Sequence, residues 1–147
     1  MYIHCQIEIP ASKAEVLSVF QDRSQHHLWH QGLQGFELLK GKEWEVGTQH
    51  HLPFKVGRTE FMLLETITHN DLPHSIKMQV DTLGKGINNT MLNRFTELEN
   101  GNTLYEVEVV YTFTSRPMKL MATLMPRMFK KQVQKMLERF KEAVLKS

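Results

Sequence analysis

Apolar and polar residues alternate strictly at the start of the chain. Ile3, Cys5, Ile7 and Ile9 fall on one side, and Tyr2, His4, Gln6 and Glu8 on the other. A period of two is that of a strand with one buried face, so residues 2–9 are predicted to form one. The pattern then lengthens. In PASKAEVLSVFQD, Ser12 and Glu15 stand in capping-box spacing, where hydroxyl and carboxylate satisfy each other's exposed amides. Val16, Val19 and Phe20 follow on one helical face. Ser24 is suited to cap a second short helix and Gly32 to stop it.

From residue 34 to residue 114 the character is that of strands. GFELLKGKEW, GTQHHLPFKV, RTEFMLLETITHN, HSIKMQVDTLG, NNTMLNRFTELE and NTLYEVEVVYTFT are separated by turn residues: Gly41, Val56–Gly57, Asn70–Pro73, Gly84–Gly86 and Asn100–Gly101. The last pair predicts a type I′ hairpin turn, because Asn-Gly takes positive φ angles readily. Links this short between successive strands imply an antiparallel meander. Beyond Arg116–Pro117 the period is helical to the end. Met118, Met121, Met125 and Met128 open an apolar stripe that Val133, Met136, Leu137, Phe140 and Val144 continue. Pro126 interrupts it, either kinking the helix or starting its longer second part. The predicted fold is α+β: a curved antiparallel sheet of about seven strands wrapped around a long C-terminal helix, with two short helices after strand one.

A chain of 147 residues reads most simply as a single domain, residues 1–147, and is long enough to bury a core. No apolar run approaches the roughly 20 residues a bilayer span needs. The opening MYIHCQIEIP lacks the basic and apolar regions of a signal peptide. The only cysteine, Cys5, has no internal disulfide partner, and its place on the apolar side of strand one suits inert core. Both features favour the reducing cytoplasm. The net charge is only +2. Cations gather late, at Lys130, Lys131, Lys135, Arg139, Lys141 and Lys146, without interleaved base-stacking aromatics, so a solvated helix face is expected rather than a nucleic-acid surface.

Candidate chemistry is sparse. SQHHLWHQG holds three histidines, with His26 and His30 four residues apart. Zinc wants three or four ligands, and the catalytic helical signature His-Glu-x-x-His carries a carboxylate that is missing here. The two histidines instead flank Trp29. His50 and His51 are consecutive on a strand and point to opposite faces, so they form no clamp. Neither a metal nor a cofactor is predicted: no P-loop, dinucleotide fingerprint, Ser-His-Asp order or cysteine-based site is present. Glu65 is the weak catalytic candidate. It shares a strand face with Phe61, Leu63 and Ile67, and a carboxylate buried there would be suited to acid/base work. A one-residue shift or bulge would turn it outward and leave Met62 and Leu64 inside. The methionine stripe reads equally as plain core or as an adaptable wall for apolar ligands. Tyr105 and Tyr111 could offer hydroxyls to a ligand's polar end.

Four motifs in this order resemble the START-like superfamily. These are the Bet v 1-type helix-grip proteins, which include the polyketide cyclase/dehydrase and lipid-transport group. IPASKAEVLSVFQD resembles the family's Ile-x-Ala-Pro-like entry to its first helix, and LWHQGL its Trp-x-x-Gly segment. WEVGTQHHL resembles its Trp-x-x-Gly-Thr strand start. RFTELENGNTLYEVEVVY resembles its Gly-Gly-Thr hairpin, with Asn102 in place of the second Gly.

The resemblance implies a cavity between the concave sheet and the last helix, open near the short helices, holding a hydrophobic small molecule such as a lipid, quinone or polyketide. Candidate lining residues are Trp29, Phe61, Leu63, Met78, Phe95, Val109, Tyr111, Met121, Met125 and Met128, with the first half of the final helix as lid. The alternative is a cyclase, dehydratase or hydrolase using Glu65 or a histidine as general acid/base in the same cavity. A monomer or homodimer is expected.

Overall fold

Side-chain alternation builds the sheet. The computed structural model describes residues 1–147. It contains seven strands: β1 (Tyr2–Ile9), β2 (Glu37–Lys40), β3 (Gln49–Val56), β4 (Thr59–Asp71), β5 (Ser75–Thr82), β6 (Ile87–Glu97) and β7 (Thr103–Phe113). All pair antiparallel in the order β1-β7-β6-β5-β4-β3-β2, so β2 to β7 form a meander and β1 closes on its last strand. Ile3 pairs with Val109 and Cys5 with Val107 on the buried face. On the outer face Tyr2 donates to Glu108 (2.8 Å), while His4 and Arg94 flank Glu106 (3.3 and 3.6 Å).

Between β1 and β2 lie α1 (Lys13–Phe20) and a 3-10 helix (Arg23–Leu28). The Glu15 amide donates to Ser12 Oγ at 3.2 Å, so the Ser12 half of the expected box caps α1. The second helix differs from its prediction. Asp22 caps it, accepting from the Ser24 amide (3.1 Å), and it ends before His30. An aspartate two residues earlier reaches the Ser24 amide, which a Ser24 cap would have left free. Gly32 then passes beneath β3 at φ +89°, where a Cβ would lie 2.6 Å from the Lys55 carbonyl oxygen.

The β6–β7 connection also differs. Gly101 alone has positive φ, the Gly101 amide donates to Leu98 O (2.9 Å), and Asn102 donates to Asn100 Oδ1. Five loop residues between the strand ends leave room for a turn with one left-handed glycine, so Asn100 is not forced to positive φ.

After β7 come α2 (Arg116–Leu124) and α3 (Pro126–Lys146). Pro126 therefore starts a separate helix, because it lacks the amide that a continuous helix would need. Phe129, Val133, Leu137, Phe140 and Val144 form the buried stripe of α3. Leu137 and Phe140 are fully buried, each contributing about 1.5–3 kcal/mol by leaving water. The stripe packs on β1 and the short helices, which holds α3 along one side of the concave face and leaves the other side free. No helix is long and apolar enough to cross a membrane.

Candidate functional site

The unfilled side of the concave face is a cavity of about 470 Å³. Alternation decides its walls. Leu52 and Phe54 of β3, Phe61 and Leu63 of β4, Met78 and Val80 of β5, Met91 of β6, and Val109 and Tyr111 of β7 all point inward. Gln132, Val133, Met136 and Arg139 of α3 form the facing wall, and Trp29 and Leu33 the end near the 3-10 helix. Such a volume lies within the range of small-molecule sites, about 300–1,000 Å³.

Polar groups collect at that end. Glu65 faces inward and is buried; its carboxylate accepts from the Arg23 guanidinium at 2.5 Å. Burying either charge alone would be costly, and the pair offsets that cost only while both partners stay. The guanidinium carbon lies 4.4 Å from the centre of the Trp44 ring, a cation–π placement. Trp44 is the only non-glycine residue with positive φ (+67°), and Asn70 holds its carbonyl at 2.6 Å. Strain of this kind costs on the order of 1–3 kcal/mol and persists only where the surroundings impose it. Here Phe20 (5.6 Å), His26 (6.0 Å) and Arg23 enclose the ring.

His26 Nε2 lies 2.7 Å from Phe20 O, so that nitrogen carries the proton of the neutral ring. Burial, then the neighbouring Arg23 charge, pushes its pKa down to about 4. Burial also holds His30 down at about 4, although His30 keeps more surface than His26. Both rings are neutral at pH 7. His50 is fully buried across the strands from Glu65. Its Nε2 lies 2.8 Å from Glu43 Oε1, yet the angle misses a hydrogen bond and both ring nitrogens lack partners. Deeper along the sheet, Tyr105 donates to Asn93 Oδ1 at 2.7 Å. Burial raises the Tyr105 phenol, and raises Tyr111 to about 12, so both stay protonated donors. No group of three or more His, Cys, Asp or Glu side chains is placed to hold a metal ion.

Of the residues singled out by sequence, Trp29, Phe61, Leu63, Glu65, Met78, Val109 and Tyr111 line the cavity. Phe95, Met121, Met125 and Met128 do not. Phe95 is closed off, stacked on Tyr105 (4.8 Å) and met edge-on by Phe20 (5.1 Å). The methionines miss because the break at Pro126 separates α2 from α3. Met125 sits exposed at the break, Met121 and Met128 pack beside the core, and the helical wall begins only at Gln132. The helical wall of the cavity is therefore formed by residues 132–139 of α3 and not by the Met118–Met128 stretch. Sequence reasoning passed over Arg23 and Trp44. A buried Glu65 calls for a cation, and Arg23 stands beside the histidine cluster; nothing local marked Trp44 beyond its motif.

The fold is shared widely. A conserved protein of Geobacillus kaustophilus matches with TM-score 0.82 at 15% identity, over 98% of this chain and 95% of its own. Ara h 8.0201 matches with TM-score 0.76 at 12% identity, over 100% and 99%. A norcoclaurine synthase point mutant from Thalictrum, bound to a transition-state analogue, matches with TM-score 0.70 at 17% identity, over 99% and 94%. No curated protein matches the sequence. Identities this low speak for the fold alone. The sequence itself carries the stronger statement: with residues 3–145 matching its profile, the chain belongs to the polyketide cyclase / dehydrase and lipid transport family.

Proposed function

We propose that the protein binds and carries a hydrophobic small molecule in the cavity between the sheet and α3. The supporting observation is the cavity itself: about 470 Å³, with 17 of its 27 lining residues hydrophobic. Binding would draw on removing apolar ligand surface from water. Orientation would come from the neutral acceptors and donors at its walls, His26, His30 and Tyr111. Family membership supports hydrophobic-ligand binding in general. The single, buried, unpaired Cys5 favours a reducing compartment such as the cytoplasm.

Native mass spectrometry against lipids, quinones and aromatic polyketides tests the reading. At least one class should be retained by the parent chain and held less by Leu63→Trp, which narrows the cavity. Retention of none, or equal retention by the narrowed variant, overturns it.

An enzyme of cyclase or dehydratase type is the second reading, favoured by Glu65 lining the cavity within reach of a ligand. Its requirement is a second ionisable group beside Glu65, and Arg23 and His26 stand there. Turnover of a retained ligand that Glu65→Gln abolishes, without loss of binding, is the result that separates the two readings.

A further inference from the structure

The strongest unexplained surface lies outside the cavity, on α2. Arg116, Lys119, Leu120, Thr123 and Leu124 recur at helical spacing and are all exposed, while Met118, Met121 and Ala122 turn inward. Leu120 is 61% and Leu124 71% exposed, and Met125, next along the chain, is 52% exposed. Three large apolar side chains so far out of the core, side by side, ask for a covering.

Charge says what kind. No Asp or Glu occurs between Glu108 and Glu138, whereas that stretch carries Arg116, Lys119, Arg127, Lys130, Lys131 and Lys135. None of these cations enters an ion pair. The β5–β6 turn lies against the start of α2, through the Thr114 amide on Gly86 O (2.8 Å), and adds exposed Leu83 and Lys85. An apolar stripe rimmed only by cations fits a surface that is apolar below and anionic above.

We propose that α2 and the start of α3 dock on an anionic lipid bilayer, with Leu120, Leu124 and Met125 entering the interface and Arg116, Lys119 and Arg127 meeting headgroup phosphates. The surface is separate from the cavity, so the proposal stands whatever the cavity holds. Its geometry is that of an interfacial helix lying on the membrane, not of one spanning it.

Sedimentation of the full chain with vesicles tests it. Phosphatidylcholine vesicles containing about 30% phosphatidylglycerol should bind the protein at least about tenfold better than pure phosphatidylcholine. Raising salt to about 1 M, where screening shortens to about 3 Å, should remove most of that difference. Leu124→Glu alters a residue outside the core, so circular dichroism should be unchanged while vesicle partition falls about tenfold or more. Arg116→Gln with Lys119→Gln should cost about fivefold per cation on anionic vesicles and nothing on neutral ones. Equal partition to both vesicle types, or full binding by Leu124→Glu, overturns the proposal. So does concentration-dependent dimerisation of the parent chain that Leu124→Glu abolishes, because the stripe would then belong to a second copy.

Discussion

Removing one half of the Arg23–Glu65 pair should be far worse than removing both. Arg23 is Glu65's hydrogen-bonded partner at 2.5 Å, and both side chains keep less than a tenth of their surface (6% and 8%). Arg23→Met leaves a carboxylate in the cavity wall with no cation. Broken buried pairs cost about 3–5 kcal/mol. The Coulomb attraction gives a similar figure, about 4 kcal/mol at 4 Å with an effective dielectric near 20. Losing the cation from the face of Trp44 adds about 1 kcal/mol. In Arg23→Met/Glu65→Leu both charges leave together, and stability should return to within about 1 kcal/mol of the parent or exceed it. Urea unfolding at neutral pH reads this through the fluorescence of Trp29 and Trp44, the two tryptophans, both in the cavity wall. A cycle over parent, two single variants and the double variant isolates the coupling. Should the double variant prove no more stable than Arg23→Met, the two side chains do not depend on each other and the reasoning fails.

Two further outcomes are expected. The folded-state pKa of His26, about 4, lies below its ordinary value of 6.5, so between these the unfolded chain holds more protons. Stability is therefore full above about pH 6.5 and falls as the pH drops towards 4, by up to about 3 kcal/mol for this ring. Histidine resonances followed by NMR should show His26 and His30 titrating well below 6.5, and titration of His26 near 6.5 would contradict its burial. Gly32→Ala meets both positive φ and the Lys55 carbonyl, which a Cβ would approach to 2.6 Å. The backbone alone accounts for about 1–2 kcal/mol, so thermal unfolding should drop by several degrees, and an unchanged midpoint would show that the close approach is relaxed at no cost.

Strands were legible wherever one face meets water and the other the core. The alternation in β1 and β7, and the apolar stripe from Val133 to Val144, are local patterns with local causes. Turn chemistry was legible in place but less so in kind: Gly101 takes positive φ, but Asn100 does not, because loop length and not dipeptide identity selects the turn. The second short helix was legible in place but not in bounds: Asp22 caps it by accepting from the Ser24 amide, and it ends at Leu28, before His30 and Gly32.

For the site, period two put Phe61 and Leu63 on one face, the resemblance added Met78, Val109 and Tyr111, and all five reach the cavity. Phe95 obeys the same alternation yet is closed off, because Phe20 and Phe140, distant in sequence, pack over that end of the sheet. The methionine stripe failed as a wall because periodicity runs through Pro126 without registering that α2 ends and α3 starts there, across the non-helical Met125.

The sequence by itself determined the order of elements, their amphipathic faces and the family pattern, since each depends on neighbours within a few positions along the chain. Only the tertiary structure decided which stretch of an apolar face lines open space and which is filled. It also brought Arg23 to Glu65 and Trp44, residues that sequence separates and a curved sheet brings together. Glu65 had two possible faces on β4, and the choice rested on whether a cation stood inside to meet it. That cation comes from a different element, so no local pattern could supply it.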